Sequence, residues 1–462
     1  MRREMRTVRN GEEERRRGSG AESRKKNEVS SVGGKTEERK SDEESRQARQ
    51  RTGAKRTEEA LRPFSAWENG LLLRAGYTTG TCAAAAAKAA ALLLFTGERA
   101  ELVSVKTPAG AVLFLVPEYL PIPEQLPVPE QLSQSGAPSA VRQLRSVCAC
   151  AVRKDAGDDP DVTNGARVQA TLVLLPPSSD GNTPEIELLG GEGVGIVTRP
   201  GLDQPVGEAA INRIPRKMIR EGITEVMREA HAKGRVRVTI SVPGGAALAE
   251  KTFNPRLGIR GGISILGTEG IVRPMSRTAL IETIRTELRM RALSGKPVLA
   301  VPGNYGLHFL EREFSAGHTE PVLMSNFVGE TIDAACEYRA GGLLLAGHIG
   351  KFVKLAGGIM NTHSREADCR LELLCAHTLR CGGSSALMRA ILDASVTQEA
   401  VRLLKEAGLL RPVAASLLSA MEEAVRRRSG GRVESGVIFY TLEEGVLAQS
   451  ENAARLLRAA GR

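Results

Sequence analysis

GLLLAGHIGKFVKLAGG (342–358) runs from an unbroken apolar stretch into a glycine-bearing loop and then into a helix pattern. The same order stands twice upstream, in PVLAVPGNYG (297–306) and PVLMSNFVGE (321–330). Strands apolar at every position are buried on both faces and belong to parallel sheets covered by helices on each side. The expectation is therefore an α/β fold, with a Rossmann-like three-layer α/β domain over 296–462 whose sheet takes back GVIFYTL (436–442) as a late strand. In an open parallel sheet, ligands bind outside the carboxyl ends of the strands. Gly303, Asn304 and Gly306, then Ser325, Asn326, Gly329 and Glu330, then Gly347 and Gly350 all fall there. Glycine lets a ligand approach the backbone, and the N–H groups opening the next helix attract anions. Lys351 and Lys354 add positive charge. One such loop reads as an ordinary turn; three in succession point to a ligand crevice.

Upstream, 70–295 reads as an α+β domain. TGTCAAAAAKAAALLLFTG (79–97) is a helix with a hydroxyl residue at its start and glycine at its stop. Alternating strands follow at 101–107, 111–117, 147–152, 166–175, 185–189 and 235–242, with helices at 215–233 and 276–292. The segment 118–145 repeats PEQL and is expected to be an inserted surface loop. The domain boundary is placed near 295. GGEGVG (190–195) follows a strand, but Ile196-Val-Thr reads as another strand, whereas a dinucleotide fingerprint must open a helix. Close approach of this backbone to a ligand is the expectation that stays.

KDAGDDPDVT (154–163) places Asp155, Asp158, Asp159 and Asp161 within seven positions. Such crowding is costly unless cations or strong donors meet the carboxylates. A cationic ligand, a ribose diol, a metal or a proton-accepting role stands on one side; Asx turns bracing the backbone stand evenly on the other. His363, Cys369, Cys375, His377 and Cys381 suggest zinc, but cysteines six apart on a helix point to three faces and do not converge. No metal site is expected. Cys148 and Cys150 share a strand and read as core thiols. No G-x-S-x-G, P-loop or H-E-x-x-H occurs.

The chain has 462 residues and a net charge of +10, with 3% aromatics and one Trp, a poor composition for stacking on nucleic-acid bases. Residues 1–69 hold 19 Lys/Arg and 14 Asp/Glu, so half the excess charge sits in a segment with almost no large apolar residues. A disordered, charged N-terminal extension is expected, with a basic arm as the alternative. The longest near-apolar run, Cys82–Phe95, contains Lys88 and is too short to span a bilayer. Seven cysteines without an export signal read as reduced thiols in the cytoplasm. The expectations are no nucleic-acid partner and no membrane partner; homo-oligomer formation stays open.

Several long strings taken together carry a resemblance. LRAGYTTGTCAAAAAKAA (73–90), KDAGDDPDVTNGA (154–166), GGEGVGIVTRPGL (190–202), SVPGG (241–245), KTFNPRLGIRGGISILGTEGIVRPMS (251–276), GNYG, SNFVGE and GHIGKFVKLAGGIMNTHSREAD (347–368) closely resemble the cobalt-precorrin-5B C(1)-methyltransferase family of anaerobic cobalamin biosynthesis. Residues 1–69 and the PEQL segment depart from that family. The resemblance implies S-adenosyl-L-methionine as methyl donor and a cobalt-containing corrin precursor as acceptor. Cobalt then travels in the substrate, and no protein-bound metal is required.

The donor is expected against the three strand-end loops, with Asp333, Glu330 or the 155–161 loop as ribose acceptor, and the polycarboxylate macrocycle between the domains. Thr79, Thr81, Lys154, Asp155, Asp159, Asp161, Arg256, Arg260, Lys351, Lys354 and Arg365 are its candidate contacts. Asp158, His348, His363 and Tyr305 are the candidates for orienting the acceptor or taking a proton. An enzyme binding another nucleotide or phosphorylated ligand through the same loops is the alternative.

Overall fold

A computed structural model describes residues 47–68, 70–121, 146–176, 185–314 and 320–461. The chain divides into two units, one built from residues up to Gly191 with Ile214–Ser241 and Ile265–Pro274, the other from Glu192–Arg213, Val242–Ser264 and Met275 onward.

In the first unit, helix α1 (47–61) buries Gly53, Thr57 and Leu61, spaced four apart along one face. The Thr57 hydroxyl donates to the Phe114 carbonyl and accepts from the Phe114 N–H, each at 2.8 Å. The expectation of disorder over 1–69 is thereby corrected for 47–68. The anchoring residues are small or hydroxylated, so the face does not register as apolar in the sequence. Residues 1–46 lie outside the described part.

Helix α2 (Thr79–Thr96) is capped by the Thr78 side chain, which accepts from Thr81 N–H, and stops at Gly97 in the left-handed conformation. Its alanines let it lie close on the sheet. By length and composition α2 could span a membrane, but 78% of it is buried in the fold, as a core helix is.

A hairpin of β1 (Val103–Lys106) and β2 (Val112–Leu115) precedes the main sheet. That sheet has the order β3 (Glu118–Tyr119), β4 (Val147–Arg153), β5 (Arg167–Leu175), β7 (Arg235–Ser241), β6 (Glu185–Gly190). All neighbours are antiparallel except the parallel pair β7–β6. The inserted-loop reading of 118–145 thus gives way to strand at Glu118–Tyr119, while 122–145 lie outside the described residues. Helix α3 (Arg213–Glu229) packs its Gly222 toward Lys88 and Ala84 of α2.

The second unit carries the parallel sheet. Helices α4 (Arg277–Ala292), α5 (Asn304–Phe314), α6 (Val328–Glu337), α7 (Ile349–Phe352), α8 (Arg370–Arg380), α9 (Ser385–Leu392), α10 (Thr397–Glu406), α11 (Leu410–Ser429) and α12 (Ala453–Ala460) surround strands β8 (Val298–Val301), β9 (Val322–Leu323), β10 (Leu343–His348), β11 (Ser435–Thr441) and β12 (Gly445–Gln449). The order is β9-β8-β10-β11-β12, the first four parallel and the last antiparallel.

Side chains alternate between two cores. Leu299, Val301, Leu344, Ala346, Ile438 and Tyr440 face α5 and α12. Val298, Ala300, Leu343, Leu345, Val437 and Phe439 face the helices of the other side. This is the three-layer α/β arrangement expected.

The division differs from a single cut at 295. Residues 192–213 and 242–264 and helix α4 pack with the second unit. Glu287 of α4 is 3% exposed and is held by Arg256 at 3.0 Å and Arg291 at 3.1 Å, while Arg256 also donates to the Pro321 carbonyl at the entrance to β9. The GGEGVG string serves the same packing. Gly193–Val194 pairs in parallel with Gly262–Ile263. A Cβ on Gly193 would stand 1.9 Å from the Val242 carbonyl oxygen, and one on Gly262 would stand 2.2 Å from Gly193. The close approach expected toward a ligand is thus an approach of the chain to itself.

Thr57→Val keeps the volume but orphans the Phe114 N–H and C=O, and should cost about 1–3 kcal/mol. Hydrogen exchange at the Phe114 amide should quicken by the corresponding factor; an unchanged rate would show that α1 does not anchor the hairpin.

Candidate functional site

Strand order reverses between β8 and β10, and an open sheet of this order opens its ligand crevice at the carboxyl ends flanking that reversal. The loop after β8 passes Gly303 and enters α5 at Asn304; the loop after β10 passes His348 and enters α7 at Ile349. The Ser325–Phe327 turn between β9 and α6 closes against 361–362. Phe327 bridges Asn361, Gly329 N–H donates to the Met360 carbonyl at 3.0 Å, and Thr362 N–H donates to the Asn326 carbonyl at 2.9 Å. Ser325 is held at φ +53°, a left-handed conformation that non-glycine residues seldom adopt outside functional turns. Gly347 has no room for a side chain, since a Cβ would lie 2.1 Å from the Phe352 ring.

Asn326 is the hub of the polar knot. Its Oδ1 accepts from Lys351 Nζ at 2.8 Å and from the Thr362 hydroxyl at 3.2 Å. Lys354, 2% exposed, donates to the Thr362 carbonyl at 3.1 Å. Burial, and next the charge of Lys354, hold the Lys351 ammonium below the ordinary lysine range. No carboxylate among the described residues forms an ion pair with either lysine. The carboxylate that feels Lys354, Asp368, is already held by Arg370 at 2.6 Å. Two ammonium groups with amide, hydroxyl and carbonyl partners and no counter-charge form a cradle for an anion.

His348 accepts from Gly350 N–H through Nδ1 at 3.1 Å, and His363 accepts from Arg365 N–H through Nδ1 at 3.2 Å. A neutral ring whose Nδ1 lone pair is engaged carries its proton on Nε2. Both histidines are therefore arranged to orient or donate rather than to accept a proton. Burial lowers the His348 pKa further, and its ring stands edge-on to Tyr440, which stacks at 3.6 Å on Phe309.

Tyr305 and Asn304 fall on the first turn of α5, and their side chains lie outside the described residues. Gly306 packs toward Val301 and Tyr440, and Glu330 is half-buried in the first turn of α6. Asp333, expected as a ribose acceptor, is instead gripped by Arg428, whose Nε lies 2.9 Å from Oδ1. Arg260 is exposed on its short strand, and Arg365 is exposed and partnered. Arg256, expected to touch substrate, is committed to Glu287 and Pro321 as described above.

In the first unit the acidic loop is braced from within. Asp155 takes two hydrogen bonds from Arg74, at 2.7 and 2.9 Å, and one from Gly157 N–H at 2.9 Å. Asp158 accepts from Arg74 N–H at 2.6 Å, and Asp159 is also partnered. Asp161 pairs with the buried Lys154 and accepts from Thr163 N–H and hydroxyl at 2.7 and 2.6 Å. Burial pushes the Asp161 carboxyl up, but Lys154 and Thr163 outweigh it and leave it below the ordinary carboxylate range. Of the two readings of this loop, the bracing one accounts for these bonds.

Thr79 and Thr81 are likewise engaged. Thr79 exchanges hydrogen bonds with Leu266 N–H and C=O, and Thr81 donates to the Gly270 carbonyl at 2.7 Å. Among the described residues no group of three or more His, Cys, Asp or Glu could hold a metal, and all seven cysteines are free.

Residues missed from sequence are Thr362, which completes the Asn326 knot, and Tyr440 and Phe309, which stack on each other beside His348. Thr362 sits four residues beyond the glycine pair 357–358, a polar run that was the available signal.

The family model described as CbiD matches residues 66–274, and the one described as CbiD, C-terminal domain, matches 361–451. The chain is 42% identical to the cobalt-precorrin-5B C(1)-methyltransferase of Alkaliphilus metalliredigens, covering 84% of this chain and 96% of that protein. It is 36% identical to the one from Moorella thermoacetica, covering 83% and 97%. The 1.9 Å crystal structure of cobalamin biosynthesis protein (cbiD) from Archaeoglobus fulgidus is 27% identical, covers 66% of this chain and 87% of that one, and gives a TM-score of 0.34.

Asp161→Asn strands the buried Lys154 charge and should cost about 3–5 kcal/mol, most of which Lys154→Met in the same chain should return. Because the Asp161 pKa is lowered on folding, its contribution is full above the unfolded value of about 3.9 and is lost as pH falls through the folded value. Urea titrations at neutral and acid pH check both. Equal stability of wild type and Asp161→Asn at pH 7 would refute the bracing role.

Proposed function

We propose, from the premise that the chain belongs to the CbiD family, that it transfers the methyl group of S-adenosylmethionine to carbon 1 of cobalt-precorrin-5B, yielding cobalt-precorrin-6A and S-adenosylhomocysteine. The observation that supports this site for it is the half-buried Lys351 beside the buried Lys354 at the strand-order reversal, neither with an ion-paired carboxylate among the described residues. Both reactants carry carboxylates, and such a cradle binds one. The donor set fits the organic donor and acceptor and asks nothing of a resident metal; cobalt comes with the substrate.

When bound, the sulfonium supplies an already activated methyl group. The protein's contribution is alignment and exclusion of water. Asn326 and Thr362 hold Lys351 in place, so its ammonium meets an anion without first being ordered. Gly347 admits the Phe352 ring against the end of β10, and Gly350 leaves its N–H to the His348 Nδ1. As the C–S bond breaks its electron pair stays on sulfur, and the methylated carbon framework must release one proton. The engaged Nδ1 atoms argue against His348 and His363 as its acceptor. The Nε2–H of His348 instead can donate to an acceptor atom of the ligand.

The test is transfer of labelled methyl from S-adenosylmethionine to cobalt-precorrin-5B, with the new methyl located by NMR. Label at carbon 1 is expected, and label at any other ring position would overturn the proposal. Lys351→Met should weaken binding of one reactant about tenfold or more, the equivalent of ~1.4 kcal/mol. Because its pKa is depressed, the Lys351 cation is present below the folded value and lost above it. Ligand affinity should therefore fall as pH rises through that lowered value, sooner than an ordinary lysine would allow, and Lys351→Arg should carry it to higher pH.

A further inference from the structure

A second polar recess lies on the outer side of the loop that carries the lysines. The turn holding Lys354 ends at Ala356, Gly357 and Gly358, and these three residues form one wall of a cleft of about 570 Å³. The other wall is one face of α11, which presents Ser416, Ser419, Ala420, Glu423 and Arg427 at helical spacing, with Arg380 from the last turn of α8.

The charges in this cleft do not balance. Arg427 reaches Glu423 only at 3.6 Å, and that carboxylate is already taken by Arg426, whose Nε lies 3.0 Å away. Arg380 is exposed and forms no ion pair with any described carboxylate. Ser416 is oriented by His377, with Oγ and Nδ1 2.8 Å apart. The His377 pKa is lowered by burial and then by Arg380, so the ring adds no charge near neutral pH. Two guanidinium groups and two hydroxyls around a recess match a carboxylate: the fork of arginine meets both oxygens, and the hydroxyls satisfy the remaining lone pairs.

We propose that this cleft is a subsite for a peripheral carboxylate arm of the macrocyclic substrate, with Arg380 and Arg427 as its ligands. The inference rests on the methyltransferase reading above and deepens it. One wall of the recess, Ala356–Gly358, directly follows the segment that holds Lys351 and Lys354, so a substrate bearing several carboxylates can place one at the lysines and another in the recess. The amino-acid carboxylate of the methyl donor is the other source of the same chemistry, and the experiment separates the two.

Steady-state kinetics with cobalt-precorrin-5B and calorimetric titration with S-adenosylhomocysteine are run on wild type, Arg380→Gln/Arg427→Gln and Arg380→Lys/Arg427→Lys. The glutamine pair should raise KM for the macrocycle about tenfold or more and flatten its dependence on salt, while kcat and S-adenosylhomocysteine affinity hold. The lysine pair should recover part of the KM. An unchanged macrocycle KM in a folded glutamine pair overturns the subsite, as does weakened S-adenosylhomocysteine binding with KM unchanged. If the glutamine pair fails to fold, Ala420→Glu, which adds a carboxylate on the same helix face, takes its place and must raise KM in the same way. A wild-type protein that transfers no label removes the methyltransferase reading itself, whereas an active wild type beside an unaffected variant removes only the subsite.

Discussion

Strand β10 is buried along Leu343–Gly347 on both faces, and that burial governs the second unit. Its backbone groups pair with β8 on one side and β11 on the other, so polar chemistry can leave the sheet only at the carboxyl end. There the strand ends at His348, and the turns that follow carry Lys351, half-buried, and Lys354, buried. Placing two ammonium groups under cover is unfavourable without a partner. The Asn326, Thr362 and backbone acceptors offset part of the cost and leave the charge itself unmatched.

Several carboxylates elsewhere among the described residues are matched by cations, which gives the cradle its contrast. Asp155 and Asp158 close on Arg74, Asp161 on Lys154, Glu287 on Arg256 and Arg291, and Asp333 on Arg428. The pairs on Arg74, Arg256 and Arg428 tie together segments far apart in the chain, whereas Asp161–Lys154 and Glu287–Arg291 are local. They also explain why so many glycines flank them. Gly193 and Gly262 bring two excursions of the chain into backbone contact, and only then can Arg256 reach α4. Among the described residues, these ion-paired cations hold the fold, while Lys351, Lys354 and Arg380 form no ion pair with a carboxylate.

Much of this was legible in residues alone. Three apolar strands each ending in a glycine-bearing loop specified the parallel sheet, because only a strand buried on both faces is apolar throughout. The alanine helix with its threonine start and glycine stop was equally plain. Helix α1 was not, since its anchoring face of Gly53, Thr57 and Leu61 relies on a hydroxyl bonded to another strand's backbone rather than on apolar bulk. The division into units was also hidden, because the partners of 192–213 and 242–264 are met only after the chain has folded back.

Sequence by itself determined which residue types stand at the ends of the parallel strands, the place where the proposed ligand site lies. Local pattern suffices because strand burial and helix capping act over a few residues. Which charged residues remain available for a ligand was decided by tertiary structure alone. Arg256, Asp158 and Asp333 look as free as Lys351 or Arg380 in a linear string. The distinction lies in partners contributed from tens of residues away, up to the 95 between Asp333 and Arg428, and Coulomb attraction depends on distance in space, not along the chain.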